Sequence, residues 1–89
     1  MTRKRQPEAE VFGERLRALR TTRGLTQVAL ADASGLIDTY ISDMERGLKV
    51  PSLTTLIRLA VALDCRVGDL VAAFDEKTDL RRFLKNAGE

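Results

Sequence analysis

Histidine is absent from this 89-residue chain, and Cys65 is its one cysteine. A disulfide within the chain and a Cys/His zinc cluster are both excluded. Cys65 reads as a small filler or a surface thiol. Tryptophan is absent as well, and Tyr40, Phe12, Phe74 and Phe83 are the only aromatic residues. Leu, Ile, Val and Ala must therefore fill the core. The longest apolar run, "LAVAL" at 59–63, falls far short of the roughly 20 residues that span a bilayer. The N-terminus lacks the apolar segment of a signal peptide. A cytoplasmic, reducing location follows by default, with no membrane partner. Without His, and with no paired carboxylates in a recognisable pocket motif, there is no catalytic constellation. The expectation is a protein that is not an enzyme and needs no metal, cofactor or small-molecule ligand.

What is present is charge and helix-forming pattern. Formal net charge is only +2, so its distribution matters more. Residues 1–23 hold seven basic and three acidic side chains, a local +4, whereas residues 24–74 hold four and six, a local −2. The polar, basic stretch 1–9, with Arg3, Lys4 and Arg5, is expected to be a flexible arm. In a small helical DNA binder such an arm is a candidate for the minor groove.

Helical periodicity starts at about Glu10, where Phe12, Leu16 and Leu19 recur at i, i+4 and i+7. Gly24 ends this helix. Thr26 is placed to cap a second helix, which Gly35 ends. A third begins near Asp38, with Asp38 or Ile37 at the cap, and stops at Gly47. Pro51 discourages helix just before it, and Ser52 then caps a fourth. Leu53, Leu56, Ile57, Ala60 and Leu63 form the inward stripe of that fourth helix, and Leu59 and Val61 lie off it. A helix apolar on more than one face is deeply buried or also meets a partner chain. A fifth helix is expected over Gly68–Phe74. Leu59, Val61, Val71 and Phe74 are thus candidates for a dimer seam. "TDLRRFLKN" (78–86) has the spacing of a short sixth helix, with Thr78 or Asp79 as its cap. The division is an arm at 1–9, a domain at 10–75 and a helical C-terminal extension at 76–89, all-α throughout.

The stretch "TQVALADASGLIDTYISDMERG" (26–47) reads as two short helices meeting at a steep angle. Ala31 is small where they cross, and Gly35 permits the turn. Leu36, Ile41 and Met44 anchor the second of the pair. Asp38, Thr39, Ser42 and Asp43 then face outward, and such a helix fits the DNA major groove.

The ordered pieces "LRALRTTRGLTQVALA", "GLIDTYISDMERG", "VPSLTTLIRLAVAL" and "VGDLV" resemble the helix-turn-helix domain of the phage-repressor and Xre-type family, from Phe12 to Phe74. The chain is also similar to the controller proteins of restriction–modification systems, small dimeric regulators within that family. The resemblance implies a five-helix phage-repressor-like fold and a homodimer joined through the fifth helix. It implies double-stranded DNA as partner, read as a palindromic operator. Asp38, Thr39, Ser42 and Asp43 would face base edges. Gln27, Arg46, Lys49 and Ser52 would hold phosphates, helped by helix N-termini. Arg20 and Glu45 would form a partly buried structural ion pair. RNA polymerase is a further candidate partner. The chain departs from the family at Asp38, where relatives often carry Gln, Arg, Ser or Pro, and at Ile37, where they usually carry a polar cap residue, so no relative's target sequence carries over.

One difficulty stands out. The outward face of the third helix is acidic. A carboxylate accepts from cytosine N4, and Asp38 and Glu45 have other jobs open to them, but Asp43 has none from sequence alone. The leading expectation is a transcription regulator, plausibly the controller of a restriction–modification system. An antitoxin, a small general repressor, and a protein-interaction module that has lost DNA affinity are the alternatives.

Overall fold

Pro7 opens the first helix of the protein, three residues earlier than periodicity alone placed it. The computed structural model describes residues 6–76 and 79–84. Helix α1 runs Pro7–Thr22. Proline suits the first helical position because its missing N–H would have no partner there. Glu8 and Glu10 add negative charge to the positive end of the helix dipole. Of the arm expected at 1–9, Pro7, Glu8 and Ala9 are instead helical, and Ala9 is buried. Arg3, Lys4 and Arg5 lie outside the described residues.

Three further helices follow with local signals at their ends. Helix α2 spans Gln27–Ser34, and the Thr26 hydroxyl accepts from the Ala29 amide at 3.0 Å. Helix α3 spans Asp38–Glu45. Ile37 takes its N-cap position with no side-chain cap bond, and Asp38 is the first helical residue. The Asp38 charge thus meets the helix dipole without capping a backbone N–H. Helix α4 spans Leu53–Leu63, with the Ser52 hydroxyl accepting from the Thr55 amide at 3.1 Å. The chain leaves α2 through Gly35, at φ +73°, in the left-handed region that glycine enters without a steric cost.

The remaining chain differs in detail from the expected fifth and sixth helices. Helix α5 covers Val67–Val71 and α6 covers Ala73–Glu76, so the single segment Gly68–Phe74 is broken at Ala72. Its start is set by Asp69, whose carboxylate accepts from the Arg66 amide at 2.8 Å. Gly68 lies inside the helix and is not its cap. Helix α7 covers Arg81–Leu84, and the Asp79 carboxylate accepts from the Arg81 amide at 3.0 Å. Thr78, the other candidate cap, lies outside the described residues. The described residues contain no strand.

The core is built from Leu16, Leu30, Ile41, Met44, Leu59, Leu63 and Leu70, all with less than 2% of their surface exposed. Leu59 belongs to this core, which removes it from the dimer-seam candidates. Helix α4 is rotated relative to the expected stripe. It buries Thr55, Leu59, Ala60 and Leu63, and leaves Leu53, Ile57 and Val61 exposed. Two contacts fix that rotation. The Tyr40 and Thr55 hydroxyls lie 3.3 Å apart, and the Arg58 guanidinium donates to the Ser34 carbonyl at 3.3 Å. Both stripes satisfy a helical period, so periodicity alone does not choose between them.

Candidate nucleic-acid interface

The orientation of α3 is set from beneath. Ile41 and Met44 are fully buried, and Ala31 of α2 is nearly so. Across from them, α1 brings Gly13 against the backbone of α3. A Cβ at Gly13 would collide with the Met44 carbonyl oxygen and lie 2.9 Å from that of Glu45. The two helices therefore touch backbone to side-chain-free backbone. Gly13 was not singled out from sequence, although a glycine inside a helical stripe is itself a signal of close approach.

A polar knot ties the same region. Arg20 Nε donates to Glu45 Oε2 at 2.6 Å and Arg20 Nη2 to Oε1 at 3.0 Å, a two-pronged ion pair. Their side chains are 11% and 3% exposed. Arg20 Nη1 also donates to the Leu25 carbonyl at 2.7 Å. Glu45 raises the Arg20 pKa, first by hydrogen bonding and then by charge, against the opposing effect of burial. Gln27, the first residue of α2, donates from Nε2 to Glu45 Oε1 at 3.1 Å. One carboxylate thus joins α1, the start of α2 and the end of α3. The link to Gln27 could not be read from spacing, because it crosses 18 positions of sequence.

With its inner side so fixed, α3 presents Asp38 and Thr39 exposed and Ser42 and Asp43 half-buried. At its C-terminal edge the structure brings three charged residues together. Asp43 Oδ1 accepts from Arg46 Nη2 at 2.7 Å, and Asp43 Oδ2 lies 3.5 Å from Lys49 Nζ. Lys49 Nζ also stands 6.0 Å from the centre of the Tyr40 ring. Hydrogen bonding to Arg46, with Lys49 behind it, holds the Asp43 carboxyl below the usual carboxylate range. Ser52 sits at the exposed start of α4, where its hydroxyl is occupied in capping and also donates to Thr55 Oγ1 at 3.1 Å.

The remaining seam candidates are spread differently. Val61 is 75% exposed, the highest value of any large apolar side chain described. Val71 and Phe74 are half-buried, and Phe74 packs edge-to-face on Phe83 of α7 with ring centres 5.5 Å apart. Among the described residues, no group of three or more Cys, Asp or Glu side chains is arranged to hold a metal ion. No described helix is long and apolar enough to cross a membrane.

An outward-facing second helix, set against the buried face of the first (Leu30, Ala31 and Ser34) and edged by cations, is an arrangement that fits a DNA groove. Residues 11–74 match the family described as helix-turn-helix domain. The immunity repressor protein of Bacillus phage phi105 is 44% identical over 59 residues, which are 66% of this chain and 41% of the repressor. The chain thus spans about two fifths of that relative. The control protein C.SmaI of Serratia marcescens is 42% identical over 62 residues, 70% of this chain and 74% of that protein. Among solved structures, the restriction–modification controller protein C.AhdI from Aeromonas hydrophila superposes with a TM-score of 0.68 at 45% identity. That match covers 70% of this chain and 94% of the controller.

Proposed function

Since the chain belongs to the helix-turn-helix family of transcriptional regulators, we propose that it acts as a homodimer on a palindromic operator and controls a restriction–modification system. The observation that carries this reading is the 45% identity to a restriction–modification controller of which 94% is covered. In this reading α3 enters the major groove. Thr39 and Ser42 offer hydroxyls to base edges or phosphates, with Asp38 beside them. Arg46 and Lys49 neutralise phosphates at the C-terminal edge of α3. The N-terminal ends of α2 and α4, at Gln27 and Ser52, direct backbone N–H groups at the strands.

A two-fold dimer sets its two recognition helices about 34 Å apart, one turn of B-DNA, so the operator is a palindrome. Val61, with Val71 and Phe74, supplies the apolar surface for that dimer. The acidic residues of α3 do not oppose this reading. Asp38 lies against its own helix dipole, Glu45 is consumed by Arg20 and Gln27, and Asp43 is held between two cations.

The test is fluorescence anisotropy of the purified chain with duplex DNA from upstream of its own gene, repeated over a salt series. Saturable, salt-sensitive binding is expected, and Thr39→Ala should weaken it about five- to tenfold, the size of one lost base contact. Absence of binding to that DNA at low salt would sink the proposal. A neighbouring restriction endonuclease gene would assign the controller role, and a neighbouring toxin gene would favour an antitoxin.

A further inference from the structure

The base-facing side of α3 carries a carboxylate placed beneath the cations that DNA would use. Asp43 is 20% exposed, whereas Arg46 and Lys49 are 60% and 49% exposed. Each carboxylate oxygen has its own cation, Oδ1 with Arg46 at 2.7 Å and Oδ2 with Lys49 at 3.5 Å. Lys49 Nζ also stands over the Tyr40 ring, 6.0 Å from its centre. Both cations reach solvent, yet both are already partnered.

We propose that Asp43 is an internal competitor for DNA phosphate, a positioning residue that holds Arg46 and Lys49 back from duplexes lacking the cognate bases and so determines specificity. The inference rests on the DNA-binding reading above. Phosphate contacts are blind to sequence and supply nearly all of non-specific affinity. On a random duplex, a phosphate has to draw each cation from its carboxylate with nothing else gained. On the operator, contacts from Thr39 and Ser42 hold α3 close, and the exchange of partners is offset. An aspartate is ionised at neutral pH, and hydrogen bonding to Arg46, with Lys49 behind it, favours the charged form further. Its two oxygens are both engaged inside the protein, which argues for this internal role over the reading of a cytosine.

The experiment compares the full chain with its Asp43→Asn variant, on a random-sequence duplex and on the DNA upstream of its own gene, over a range of salt. The amide keeps the side-chain shape and removes the charge, and a matching far-UV circular dichroism spectrum with a single cooperative melt will show that the fold is kept. The variant should bind the random duplex about three- to tenfold more tightly at low salt, with the slope of log K against log salt steeper by up to about one contact. The ratio of operator to random affinity should fall. In a chain already carrying Arg46→Ala and Lys49→Ala, the same Asp43→Asn change should give no gain, because the competitor has nothing to hold. Unchanged random-duplex affinity would overturn the inference, as would a loss confined to the operator, which would make Asp43 a base reader. A gain that persists without Arg46 and Lys49 would also overturn it, by showing simple repulsion of phosphate. If the wild-type chain binds neither duplex, the DNA-binding reading itself fails, and that result is distinct from the others.

Discussion

Gln27 and Arg20 donate to the same oxygen of Glu45, at 3.1 and 3.0 Å. A residue at the front of α2 is thereby linked to the long first helix through the last residue of α3. The two donors are unequal. Arg20→Ala strands a 3%-exposed carboxylate without its counter-charge and should cost about 3–5 kcal/mol. Gln27→Ala removes one neutral donor and should cost about 1 kcal/mol. Urea denaturation of the two variants checks the ranking, and equal losses would contradict the ion pair's structural role.

The Gly13 position predicts a sign as well as a size. On an open helix face, Gly→Ala adds up to about 1 kcal/mol of stability. Here the added methyl meets the Met44 and Glu45 carbonyl oxygens, so Gly13→Ala should destabilise by about 1–3 kcal/mol or more. A rise in melting temperature would show that α1 and α3 can separate freely.

Val61 separates assembly from folding. It is 75% exposed in the monomer, so Val61→Asp should leave monomer stability within about 0.5 kcal/mol. In the proposed dimer the introduced carboxylate is desolvated, and sedimentation equilibrium should show the variant shifted to monomer. A variant that dimerises like the parent would place the seam elsewhere.

Asp43 also gives a pH signature. Its folded-state pKa is depressed by Arg46 and then Lys49, so its contribution is fully present above the ordinary carboxylate range. It is lost as pH falls through the depressed value. Melting temperatures of the parent and of Asp43→Asn should therefore differ at neutral pH and converge in acid. A gap that is constant across that range would exclude the carboxylate's charge as the cause.

Local chemistry is legible in the sequence. Thr26 and Ser52 cap helices because their hydroxyls meet an amide three residues on, and Gly35 marks its turn by the same short-range logic. The outward set on α3 follows from where Ile41 and Met44 must go. What the sequence concealed is long-range. The rotation of α4 depends on Tyr40 meeting Thr55 and on Arg58 meeting Ser34, so Leu59 was placed at a seam when it belongs in the core. The start of α5 depends on Asp69 reaching back to Arg66, a bond that a scan for N-cap side chains overlooks. The engagement of Gln27 with Glu45 and of Asp43 with Lys49 likewise needs the folded chain.

The backbone contact at Gly13 has a thermodynamic consequence for recognition. Where Gly13 of α1 meets the Met44 and Glu45 carbonyls of α3 no side chain intervenes, and there is little rotamer freedom left at that contact for a ligand to freeze. The ordering of the recognition helix is completed when the chain folds, and association then carries a smaller entropic penalty. In the proposed complex, discrimination among DNA sequences would then fall to Thr39 and Ser42, on a support that does not adapt to the wrong groove.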